Sequence, residues 1–111
     1  MAIATINPAT GERIRSFEPL GEAQIDGKLQ RASDTFAEYR CMPFPERARR
    51  MTRAAEILES EKEALGRLMT TEMGKPLKAA MEEAAKCALG CRYYAENAER
   101  FLADTARRTE Q

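Results

Sequence analysis

Three cysteines, Cys41, Cys87 and Cys91, are the strongest nucleophiles this chain offers, and nothing stands ready to activate them. The sequence contains no histidine, which removes Cys–His and Ser–His–Asp devices and every imidazole metal ligand. Cys87 and Cys91 are four apart in a helical stretch and so share a face. A zinc site would need two further ligands, and Cys41 is the only other thiolate. The spacing reads instead as small apolar side chains in a helix seam. The odd count argues against a disulfide framework and points to a reducing cytoplasm.

The charged groups are equally unsuited to catalysis. Glu82 and Glu83 are adjacent, and neighbouring helix positions diverge by ~100°, so they cannot share a substrate. Arg47, Arg49, Arg50 and Arg53 form the densest basic cluster, but Glu56, Glu59, Glu61 and Glu63 follow within three turns and no aromatics are interleaved. A solvated face laced with ion pairs fits better than a nucleic-acid patch. With 18 Lys+Arg against 18 Asp+Glu, no net charge draws the protein to nucleic acid or an anionic membrane. No apolar run nears the ~18 residues of a membrane-spanning helix. The N-terminus has neither a basic region nor a sustained apolar stretch, so no signal peptide is expected. The six glycines are scattered, and none forms a phosphate-cradling loop after a strand.

The elements carrying these residues are mainly helical, behind an N-terminal β-hairpin. Ile3 to Ile6 is β-prone, Asn7 to Gly11 is dense in turn residues, and Arg13 to Phe17 alternates, giving a hairpin over 3–17. A helix is expected over about 21–40, with Ile25, Leu29, Ala32, Phe36 and Tyr39 on one stripe. Pro45 suits the first position of a helix over 45–59, and Glu46 its positive end. Ser60 and Glu63 have capping-box spacing, which starts a third helix over 61–73. Gly74 and Pro76 end that helix and open the last, over 76–102, where Leu77, Met81, Ala84, Ala88, Cys91, Ala95, Ala98 and Leu102 step by alternating fours and threes. The expected core gathers Phe36, Met51, Leu58, Leu65 and Met81. The tail 105–111 shows no periodicity and is expected to fray.

Four motifs then stand in register: Ile6-Asn-Pro-Ala-Thr-Gly-Glu12, Pro45-Glu-Arg-Ala48, Thr70-Thr-Glu-Met-Gly-Lys-Pro-Leu77 and Cys91-Arg-Tyr-Tyr-Ala-Glu-Asn-Ala-Glu99. In this order the chain resembles the N-terminal segment of NAD(P)-dependent aldehyde dehydrogenases, and within them most the succinate-semialdehyde dehydrogenases. The resemblance runs from about residue 3 to 104. It implies the hairpin-plus-helices portion of an α/β aldehyde dehydrogenase fold. It also implies a parent that oxidises an aldehyde by thiolate attack, hydride transfer to NAD or NADP and thioester hydrolysis.

The nucleophile, its base and the dinucleotide site of that family lie outside this segment. The chain by itself is therefore expected to hold no catalytic and no cofactor-binding residue, to bind no cofactor, and to have the rest of the dehydrogenase as its partner or else to self-associate. A stand-alone helical module binding a protein through its last helix is the alternative. Two partial sites follow from the resemblance. Thr5, Ile6 and Glu72 match positions that offer oxygens to a structural cation. Lys86, Tyr93 and Asn97 share a stripe away from the alanine seam, on the helix that borders the substrate mouth in the family, where Lys86 would meet a substrate carboxylate.

Overall fold

The computed structural model describes residues 3–106, in which a hairpin precedes four helices. Strands β1 (Ile3–Ile6) and β2 (Arg13–Phe17) pair antiparallel. Their register shifts between Thr5 and Ile6, leaving Ile14 as an extra residue on β2. The turn between them explains its own composition. Asn7 Oδ1 accepts from the Ala9 amide at 2.9 Å, and the Asn7 carbonyl accepts from Gly11 at 2.8 Å. Gly11 has φ +74°, a backbone only glycine adopts without strain.

Helix α1 spans Glu22–Tyr39, and its first turn is closed by Gln24, whose Oε1 accepts from the Gly21 amide at 3.0 Å. Helix α2 spans Phe44–Ser60, with Pro45 in its first turn. Helix α3, Lys62–Met73, follows after one residue. Ser60 does not cap it. The Ser60 hydroxyl donates back to the Ile57 carbonyl at 3.0 Å, because α2 continues through Ser60, and the Glu63 carboxylate turns to Arg67. Gly74, at φ +72°, ends α3 in the left-handed conformation, and α4 runs Leu77–Phe101, a rod of roughly 38 Å at 1.5 Å per residue. Of the tail expected to fray, residues 105 and 106 carry no helix, and 107–111 lie outside the described residues.

Helices α2 and α3 both pack on α4, and their common core is alanine. Ala55, Ala80 and Ala88 are fully buried and Ala84 nearly so, while no large side chain is fully buried among the described residues. Gly66 lets α3 approach closest: a Cβ there would meet the Met81 main-chain nitrogen at 3.3 Å. The expected core is corrected accordingly. Leu58, Leu65 and Met81 flank the seam half-buried, but Phe36 is 62% exposed and Met51 37%. Phe36 lies outside because α1 leaves the helical unit, with Ile25 and Leu29 also exposed. Together with the outlying hairpin this gives a radius of gyration of 19.9 Å, against about 13 Å for a compact chain of this length.

Candidate functional site

The face of α4 turned away from the alanine seam carries Lys86, Tyr93 and Asn97. Lys86 is exposed there, in a shallow groove shared with Lys75, Ala79, Glu82, Glu83 and Cys87. Lys75 bonds the Glu83 carboxylate and, with a smaller contribution from the charge on Lys86, holds it below the usual carboxylate range. Glu83 is thus engaged, and among the described residues Lys86 forms no ion pair of its own. Further along, the Tyr93 ring packs edge-on to Tyr94 at 5.4 Å and tilts against Phe101 at 5.9 Å. Asn97 Nδ2 donates to the Tyr93 carbonyl at 2.8 Å, and its Oδ1 accepts from Arg100 at 3.0 Å. The structure therefore couples Tyr93 to Asn97, while Lys86 stands about two turns away on the same rod.

Arg92 performs a different task. Its Nε and Nη2 donate to Glu59 Oε1 and Oε2 at 3.2 and 2.6 Å, tying α4 to α2 across 33 residues. The guanidinium's hydrogen bond draws the Glu59 carboxyl below its ordinary range, and the carboxylate in turn raises the Arg92 value. Nothing in local sequence pairs these residues. Gly66 was findable, since a lone glycine inside a helical pattern marks close packing.

The hairpin reaches the helices at one corner. A Cβ on Gly74 would meet Pro8 Cγ at 3.1 Å, so the turn of the first motif sits on the helix end of the third. Pro8 lies two residues past Ile6 and Gly74 two past Glu72, which brings the ends of β1 and α3 to one neighbourhood. Thr5 Oγ1 is buried without a hydrogen-bond partner, while the Glu72 side chain is exposed. Among the described residues no group of three His, Cys, Asp or Glu is close enough to hold a metal, so any cation at this corner would depend on main-chain oxygens.

The three cysteines differ in exposure. Cys91 is half-buried beside the seam, as its spacing suggested, but Cys87 and Cys41 are exposed. Cys87 falls on the groove side with Lys86, because the seam centres on Ala80, Ala84 and Ala88. The arginines of α2 behave as a solvated face: Arg49 and Arg50 meet Glu46, Arg53 meets Glu56, and Arg47 lies over the Phe44 ring. The described residues provide no glycine-rich turn between strand and helix, and so do not fit a dinucleotide's phosphates. No helix is long and apolar enough to cross a membrane.

Known proteins share this arrangement. A family profile described as the aldehyde dehydrogenase family matches residues 1–111. The chain is 50% identical over 105 residues to a succinate-semialdehyde dehydrogenase [NADP(+)] of Mycobacterium avium, which covers 94% of this chain and 22% of that enzyme. Among solved structures, Gox0499 matches with a TM-score of 0.94 at 31% identity, covering 100% of this chain and 25% of its own. Succinic semialdehyde dehydrogenase from Streptococcus pyogenes, solved with NADP+, matches at 0.90 and 30% identity over 96% of this chain and 24% of its own. The chain thus spans under a quarter of the length of the curated relative, and its open shape recurs inside far longer chains.

Proposed function

The chain belongs to the aldehyde dehydrogenase family, and from that premise we propose that it is the N-terminal scaffold of an enzyme that oxidises succinate semialdehyde to the carboxylate with NADP+. The observation that carries this reading is 50% identity across 94% of the chain to an enzyme of that name. NADP+ supplies the hydride acceptor, held by parts of the enzyme outside this segment. What this segment contributes is position. The hairpin, α1 and the α4 face are apolar or polar surfaces for the remainder of the dehydrogenase to cover, which accounts for their exposure here. On this reading Lys86 stands at the substrate entrance and attracts the carboxylate at the far end of the aldehyde, with Tyr93 and Asn97 forming the wall beside it. Thr5, Ile6 and Glu72 would hold a structural cation by oxygen alone. Free cysteines fit a cytoplasmic enzyme.

The test is direct. The enzyme that carries this segment, given NADP+ and succinate semialdehyde, reduces the cofactor, and the 111-residue chain alone does not. Turnover by the isolated chain that is lost on replacing any of Cys41, Cys87 or Cys91 overturns the scaffold reading. Failure of the whole enzyme with this aldehyde, but turnover of another, overturns the substrate.

A further inference from the structure

We propose that Arg92 is a positioning residue: its two-point bond to Glu59 sets the rotation of α4 and thereby aims Lys86 at the substrate carboxylate. The inference rests on the reading of Lys86 given above. Helix α4 packs through Ala80, Ala84 and Ala88, whose single methyl groups make shallow ridges. Shallow ridges fix the distance between helix axes better than they fix rotation or axial register, which interdigitating side chains normally set. Besides the half-buried leucines that flank the seam, two contacts add what the alanines lack. Toward the start of α4, Met81 lies against the notch left by Gly66. Toward its end, Arg92 meets both oxygens of Glu59. A planar guanidinium on a carboxylate fixes direction as well as distance, which a point-charge ammonium does not. Lys86 lies between the two contacts, five residues after Met81 and six before Arg92. Rotation of α4 would swing its long side chain, and the two contacts oppose that rotation.

The experiment is a double-mutant cycle in the enzyme that carries this segment: wild type, Lys86→Met, Arg92→Met and the double variant. The readout is the ratio of KM for succinate semialdehyde to KM for a neutral aldehyde of similar length. Arg92→Met is expected to raise this ratio about twofold with kcat unmoved, and to raise it no further once Lys86 is gone. Glu59→Gln does the same if Arg92→Met proves insoluble, and the exchange Glu59→Arg with Arg92→Glu restores the ratio. An Arg92 effect of equal size with and without Lys86, or equal for both aldehydes, overturns the proposal while leaving the reading of Lys86 intact. A ratio unmoved by Lys86→Met overturns that reading, and the positioning role with it.

Discussion

A Cβ placed on Gly66 would lie 2.8 Å from Met81 Cγ, closer than carbon atoms of neighbouring helices pack. The contact sets how near α3 comes to α4. Met81 Cγ can move, but the Met81 nitrogen at 3.3 Å belongs to the helix itself. Alanine in place of a mid-helix glycine ordinarily gains about 1 kcal/mol. Overpacking here costs about 1–3 kcal/mol. Gly66→Ala is therefore expected to lower the thermal midpoint, followed by circular dichroism, and Met81→Ala in the same chain to restore part of the loss. A raised midpoint in the single variant would mean that α3 yields freely.

The Glu59–Arg92 pair predicts a pH dependence. Its folded carboxyl value lies below that of the unfolded chain, held there chiefly by the Arg92 hydrogen bond. Such a group stabilises the fold fully above the unfolded value of ~4.3 and loses that contribution as pH falls through the lowered folded value. Glu59→Gln removes the titration. Relative to wild type, the variant is expected to lose stability near neutral pH and to converge with wild type in acid. Parallel melting curves down to pH 3, about a unit below that unfolded value, check this; a constant gap across the range speaks against the pair.

Helix α1 makes opposite predictions in two settings. Leu29 and Phe36 are 63% and 62% exposed in this chain, and on the proposed reading the remainder of the dehydrogenase covers them. The isolated 111-residue chain is expected to bind a hydrophobic dye, self-associate and melt broadly. Leu29→Gln with Phe36→Gln should reduce dye binding by that chain yet destabilise the whole enzyme. A sharp, concentration-independent transition above about 70 °C in the isolated chain would contradict this, since ordinary domains melt at ~45–65 °C.

Which features were legible in the sequence follows from how local their causes are. The hairpin turn is written in Asn7 and Gly11, and the α3 stop in Gly74, because each residue satisfies its own neighbours. The periodicity of α4 also marks its buried side and shows that small residues dominate it; the structure buries Ala84 and Ala88 as that stripe implies, and adds Ala80, which the stripe omits. Phe36 misled because an apolar stripe shows that a face wants cover without showing that this segment supplies it. Ser60 misled because capping-box spacing cannot reveal that α2 continues one residue too far. The Arg92–Glu59 bond and the seating of Pro8 on Gly74 join residues distant in sequence, and no single-chain pattern encodes such pairs. The candidate site was legible only as a stripe; the substrate role proposed for it rests on resemblance.

The corner where Pro8 meets Gly74 offers the last prediction. Thr5 Oγ1 is buried without a partner, and a buried hydroxyl without one is costly unless an ion or water reaches it. The ladder also shifts between Thr5 and Ile6, where main-chain oxygens would be needed, and Glu72 stands in the last turn of α3, two residues before Gly74. Oxygen donors without thiolate or imidazole suit Na+ or Mg2+. If a cation bridges these elements, Glu72→Ala in the enzyme that carries this segment should weaken its calorimetric binding of Mg2+ or Na+ and lower its thermal midpoint only when the ion is present. Thr5→Val separates the hydroxyl from the carboxylate: it keeps the shape, removes the orphaned oxygen, and leaves ion binding unchanged if Thr5 ligates through its main-chain oxygen. Equal ion binding by wild type and Glu72→Ala rejects Glu72 as a ligand and leaves it an ordinary carboxylate on the last turn of α3.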